Sequence, residues 1–124
     1  MIWNFVAVAI GGAVGCCARY GLTHLIQSLA GREWPVATFA INVTGSFLLG
    51  FLFYWSLERT AISPAVRVAV LTGGLGGFTT FSTYMLESVV LVRNGAPAAA
   101  VLYVLLSVVA GFLAAFAGAW LAQS

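Results

Sequence analysis

Apolar residues run along the chain in four long blocks, separated by three short polar interruptions. The first block extends from Ile2 to about Leu29 and closes at Gly31-Arg32-Glu33, with Pro35 suited to the first turn of a following helix. The second runs to about Leu57, where Glu58-Arg59 and the Ser63-Pro64 step form a loop. The third continues to about Val92 and ends at Arg93-Asn94-Gly95, after which Pro97 opens the fourth. A helix needs roughly 20 apolar residues to cross the hydrocarbon of a bilayer, and each block is long enough. The expectation is an all-α integral membrane protein, a single four-helix domain over residues 1–124 with helices near 2–29, 34–57, 64–92 and 96–122.

Composition agrees with this pattern. Of the 124 residues, 62% are hydrophobic and 6% charged, against about 25% charged in soluble domains. Five Arg and three Glu give a net charge of +2, too sparse and scattered for a nucleic-acid surface. No basic stretch or small-residue cleavage site marks the first block as a removable signal peptide, so it is expected to remain as a helix. Cys16 and Cys17 are adjacent on one helix and point apart, which suits packing better than a disulfide or a metal site. Arg32 and Arg93 flank one membrane face, Arg59 and Arg67 the other. The positive-inside rule then gives little preference for either orientation, and dual topology is expected.

The third block is irregular. Between Thr72 and Thr83 it reads TGGLGGFTTFST, four glycines followed by four hydroxylated residues. Glycine weakens a helix interior, so a break near mid-membrane is expected, and any β-carbon at Gly76 would obstruct the turn. Lipid cannot satisfy freed backbone groups, so such a segment must be buried in protein or line a polar cavity. The simpler alternative is close helix packing through Gly73 and Gly77, as expected also for Gly11 with Gly15 and Ala114 with Gly118.

Thr38, Asn42 and Ser46 fall on one face of the second helix, and Tyr103 and Ser107 on one face of the fourth. Polar groups facing hydrocarbon are costly, so both stripes should face protein. Asn42 carries two donors and two acceptors, more than its own helix can satisfy, which favours a pathway or an interhelical bond. Arg19 lies inside the first block as a possible anion attractor, backbone anchor or snorkelling residue. Glu87 could pair with Arg19 or cap backbone donors, whereas His24 suits the interface. Phe78, Phe81 and Tyr84 recur every three residues, a spacing that by itself suits an ordinary aromatic packing stripe better than a pore lining, although their ring edges carry partial positive charge and could contact an anion. One His and three separated Glu cannot build a catalytic constellation, so an enzyme is not expected. Hydroxyls, an amide, ring edges and an Arg suit an anion.

The segments GGLGGFTTFSTYMLE, TFAINVTGSFLLG with Asn42, and GGAVGCCARY resemble the Fluc (CrcB) fluoride channels, and the likeness extends over essentially the whole chain. The resemblance implies a multi-pass protein of the cell inner (plasma) membrane, an antiparallel homodimer with two pores for passive fluoride efflux and a structural sodium ion at the centre of the interface. It makes Asn42 a pore-lining donor and Phe81 and Tyr84 the fluoride-contacting aromatic pair, with Tyr84 where Phe is usual. Thr38, Ser82, Thr83, Tyr103 and Ser107 become a polar track, shortened where Gly111 replaces a further Ser. Gly76 and Thr79 would offer backbone carbonyls to sodium, with Arg19 in or near a vestibule. Small multidrug-type proton-coupled exporters are the alternative four-helix dimers, but they would need an embedded Glu in the first helix, which has none. A non-transporting scaffold subunit would account for the small-residue packing but not for an irregular third block.

Overall fold

In hydrocarbon, backbone N–H and C=O groups find no solvent partner, so each apolar block must satisfy them internally as helix. The computed structural model describes residues 1–124 and is helical throughout, without strands. Helix α1 is Ile2–Ala30 and α2 is Val36–Ser56. The third span, Pro64–Arg93, begins as α3 (Pro64–Val68), widens into a π-helical stretch at Ala69–Leu75, tightens as α4 (Gly76–Phe78) and resumes as α5 (Phe81–Arg93). Helix α6 is Pro97–Gln123. Four helices are thus long and apolar enough to cross a membrane.

The loops carry recognisable stops. Gly31 and Gly95 have φ of 82° and 83°, a region costly for any residue with a β-carbon. Ser63 Oγ accepts the Val66 N–H, and Pro64 begins α3. The carbonyl end of α2 receives two guanidinium groups: Arg59 Nε donates to Trp55 O at 3.1 Å, and Arg67 donates to Ser56 Oγ at 2.8 Å and to Phe53 O at 3.2 Å. Positive charge at that end of a helix is favourable.

Backbone-to-backbone contact organises the packing. A β-carbon at Gly11 would overlap Ala69 O, and one at Gly15 would overlap Gly74 O, while Gly73 and Gly77 press reciprocally against Val8 O and Gly12 O. On the other side, Gly50 and Gly118 join α2 to α6 through Ala115 O and Phe47 O. This is the small-residue geometry of membrane helix pairs. Between α5 and α6 lies a small core of Tyr84, Leu91, Ala100 and Tyr103. Among large side chains only Ile41 is fully enclosed; most others face outward, as a lipid solvent permits.

Two expectations need correction. The glycine-dense stretch does not unwind, because Ala69–Phe78 stays helical and its glycines serve contact with α1. Helical dihedrals lapse only at Thr79 (φ −85°, ψ 158°) and Thr80 (φ −150°, ψ 118°). Nor does Gly76 occupy a turn closed to side chains, since its dihedrals are right-handed helical (φ −64°, ψ −37°) and a β-carbon there meets nothing in the protomer.

Two glycines of α1 separate contact from propensity. Gly15→Ala drives a methyl into the Gly74 carbonyl and is expected to cost about 1–3 kcal/mol, the range for overpacking. At Gly21 nothing lies within reach of a β-carbon, so Gly21→Ala is expected to be neutral or stabilising by up to about 1 kcal/mol. Denaturant titrations in detergent measure both, and equal responses would remove the contact argument.

Candidate functional site

The site grows from the two extended residues. In an uninterrupted helix the Thr80 N–H would go to Gly76 O; here it is donated to Asn42 Oδ1 at 2.8 Å. Asn42 Nδ2 returns a bond to Thr80 O at 3.0 Å. One amide side chain on α2 therefore pairs with both backbone groups of Thr80, as a neighbouring strand would. Thr80 Oγ1 then caps α5, accepting the Thr83 N–H at 3.4 Å and donating to Thr83 Oγ1 at 3.1 Å. Across the span, Arg19 Nε donates to Gly77 O at 3.1 Å.

Beside the clamp lies an open groove of about 260 Å³ bordered by Asn42, Ser46, Thr79, Thr80, Phe81, Tyr84 and Ser107, with Val108 and Gly111. Phe81 and Tyr84 meet edge to face along it at 5.7 Å, and Tyr84 in turn meets Tyr103, outside the groove, edge to face at 5.1 Å. Phe81 is 71% exposed in the single protomer. The Tyr84 hydroxyl donates to Val104 O at 2.6 Å, so its proton is already engaged. Ser107 Oγ is buried with no partner. A buried hydroxyl left unbonded costs about 1–3 kcal/mol.

Glu87 lies one layer away. Its Oε2 accepts from Thr38 Oγ1 at 3.0 Å and its Oε1 from Tyr103 OH at 2.9 Å. It does not pair with Arg19, contrary to one expectation, because Arg19 reaches the Gly77 carbonyl while α2 and α6 supply the partners of Glu87. A second cavity, of about 310 Å³, connects Glu87 with Arg32, Glu33 and Asn94 near the loops. Tyr103 thus joins the carboxylate to the ring ladder.

The expected residues separate into groups. Asn42, Phe81, Tyr84, Thr79 and Ser107 share the groove, and Thr38, Glu87 and Tyr103 share the carboxylate cluster. Ser82 is exposed outside both, and Thr83 is engaged in the cap. Ser46 lines the groove but bonds its own helix at Asn42 O, 2.6 Å away. Sequence reasoning gave no role to Thr80 or Val104, and cast Gly77 only as a packing glycine. The Thr80-x-x-Thr83 spacing resembles a helix N-cap and could have indicated the first; nothing in the sequence marks the other two as acceptors.

A cation would have to rely on backbone oxygen, since no cluster of His, Cys, Asp or Glu could hold a metal. Suitable oxygens exist: Gly76 O has lost its usual donor to Asn42, and Thr79 O accepts no hydrogen bond from the chain. Both fit a hard monovalent cation better than a transition metal.

Comparison with known proteins identifies the family. Residues 6–119 match the model of the family described as CrcB-like protein, Camphor Resistance (CrcB). The chain is 48% identical over 124 residues to the fluoride-specific ion channel FluC of Acidithiobacillus ferrooxidans, covering 100% of this chain and 99% of that protein. It is 44% identical over 111 residues to FluC of Magnetococcus marinus, with 90% of each chain covered, and 40% identical over 118 residues to FluC of Aquifex aeolicus, with 95% of each covered.

The Asn42 clamp has a measurable consequence. Asn42→Ala removes both partners of Thr80 and is expected to cost about 1–3 kcal/mol for each backbone group left unpaired. Amide exchange at Thr80 should accelerate in that variant; unchanged protection would show that the clamp does not hold the extended backbone.

Proposed function

The chain belongs to the CrcB-like family, whose relatives named above are ion channels rather than enzymes, and from that membership we propose that it conducts fluoride passively across the cytoplasmic membrane. The full-length identity to a fluoride-specific ion channel carries the proposal. The groove adds a chemical reason. Fluoride gives up hydration only where donors replace water, and the groove offers the unpartnered Ser107 hydroxyl, the remaining N–H of Asn42, and the edges of Phe81 and Tyr84. Because the Tyr84 hydroxyl is engaged by Val104, Tyr84 meets the ion by ring edge. Thr38 and Tyr103, their hydroxyls held on Glu87, extend the polar track.

The functional unit in this reading is an antiparallel homodimer with two pores. A second copy would cover Phe81, which is too exposed on one protomer to wall a closed passage. The lapse of helix at Thr79 and Thr80 has its purpose at the same interface. Two copies related by a two-fold axis would bring the carbonyls of Gly76 and Thr79 together as four oxygens around a structural sodium ion. The ion, when bound, would tie the copies together and raise the potential near the pores in favour of an anion.

Proteoliposomes containing only this protein are expected to release fluoride down its gradient. Folded protein giving no flux above empty vesicles would end the proposal. Phe81→Ile keeps bulk but loses the ring edge and is expected to lower fluoride flux about tenfold, equivalent to about 1.4 kcal/mol; wild-type flux would dismiss Phe81 as a contact. Reporter fusions at the C-terminus are expected to show both orientations in one cell population, and a single orientation would rule out the antiparallel homodimer.

A further inference from the structure

The lapse of helical geometry at Thr79 and Thr80 leaves a small set of backbone oxygens without their usual donors, and each has a distinct fate. Thr80 O is taken by Asn42 Nδ2. Gly77 O is taken by Arg19 Nε from α1 at 3.1 Å. Thr79 O accepts no hydrogen bond, and the donor that would serve Gly76 O is diverted to Asn42. Two side chains from two other spans therefore occupy two carbonyls, and Gly76 O and Thr79 O, the pair assigned to sodium under the proposed function, are among those they leave.

We propose that Arg19 is a positioning residue for the cation site: its Nε–H holds the Gly77 carbonyl toward α1, so that each protomer presents two oxygens, from Gly76 and Thr79, rather than three. The inference rests on the sodium reading above and adds a residue to it. A carbonyl deprived of its donor in a water-poor interior must find another partner. Without Arg19, the Gly77 oxygen has the adjacent cation as its nearest alternative. Turning toward it would distort the backbone that carries Gly76 and Thr79, and would raise the oxygen count from four toward six, the coordination that calcium favours. The role belongs to the hydrogen bond and not to the charge, since a guanidinium beside a cation repels it.

Arginine Nε is the fourth atom out from Cα, and so is the amide nitrogen of glutamine. Arg19→Gln thus keeps a donor at the same depth and removes the charge, whereas Arg19→Met keeps similar length and offers no donor. The experiment is the thermal stability of the purified dimer, titrated with sodium against a background of N-methylglucamine and repeated with calcium. Wild type should be stabilised by sodium. Arg19→Gln should show a sodium midpoint equal to or below that of wild type. Arg19→Met should show one raised about tenfold or more, together with a gain of stabilisation by calcium. A methionine variant with a wild-type midpoint would overturn the proposal, as would a glutamine variant shifted as far as methionine. If Arg19→Met yields no folded dimer, Arg19→Gln decides alone: a midpoint at or below wild type sustains the proposal, and one raised about tenfold overturns it. A wild-type dimer indifferent to sodium would instead remove the sodium reading itself, an outcome distinct from failure of the Arg19 proposal.

Discussion

Backbone polar groups within the four spans must find partners other than lipid, because the hydrocarbon offers none. That constraint makes the four apolar blocks helical and makes each departure from helix depend on named side chains. Only Thr79 and Thr80 leave helical dihedrals within a span, and the residues that receive their consequences come from elsewhere. Asn42 reaches from α2 to both backbone groups of Thr80, and Arg19 reaches from α1 to Gly77 O. An interruption of two residues is thereby held by two other spans. A side chain that can donate and accept at once suits Thr80, where both an N–H and a C=O are released; a charged donor without acceptor suits Gly77, where only a C=O is.

The glycines act at a different level. Those of α1 and the π-helical stretch allow main chains to approach until β-carbons would collide with carbonyls. Close approach brings α1 near enough for Arg19 to reach Gly77. The wider π turn at Ala69–Leu75 precedes the lapse, and π turns often accompany functional sites in helices. Packing and pathway are thus not rival explanations of the third span: glycine contacts fix its first half, and the threonines that follow release the backbone.

Much of this was legible in the sequence, and what was not has a physical reason. Four spans follow from apolar block length, and their punctuation follows from Pro, Gly and Arg placement. The i,i+4 stripe of Thr38, Asn42 and Ser46 correctly indicated a face turned toward protein, yet the three diverge in use: Thr38 bonds a carboxylate, Asn42 a foreign backbone, and Ser46 its own. Periodicity assigns residues to a face but does not choose among partners on three neighbouring helices. The same limit explains Glu87, which meets Thr38 and Tyr103 rather than Arg19. It also explains the position of the lapse, because glycine's low helix propensity is a local preference that contact with α1 overrides, whereas Thr80 is extended through a bond to a residue 38 positions away.

The tyrosine at position 84 shows how such tertiary partners change the meaning of a side chain. Read alone, a phenol in an anion pathway is a donor, stronger than any ring edge. In place, its hydroxyl proton lies on the Val104 carbonyl at 2.6 Å, and its ring stands edge to face between Phe81 and Tyr103. The bond to α6 fixes the ring plane, so the hydroxyl helps to orient the ring and leaves the edge as the part that can meet an ion. Under the proposed function that arrangement has a kinetic merit, since an ion must leave as readily as it enters. A full phenolic hydrogen bond to fluoride would deepen the well at mid-membrane; a ring edge provides a shallower one, and the Ser107 hydroxyl and the remaining N–H of Asn42 beside it supply donors without creating a trap.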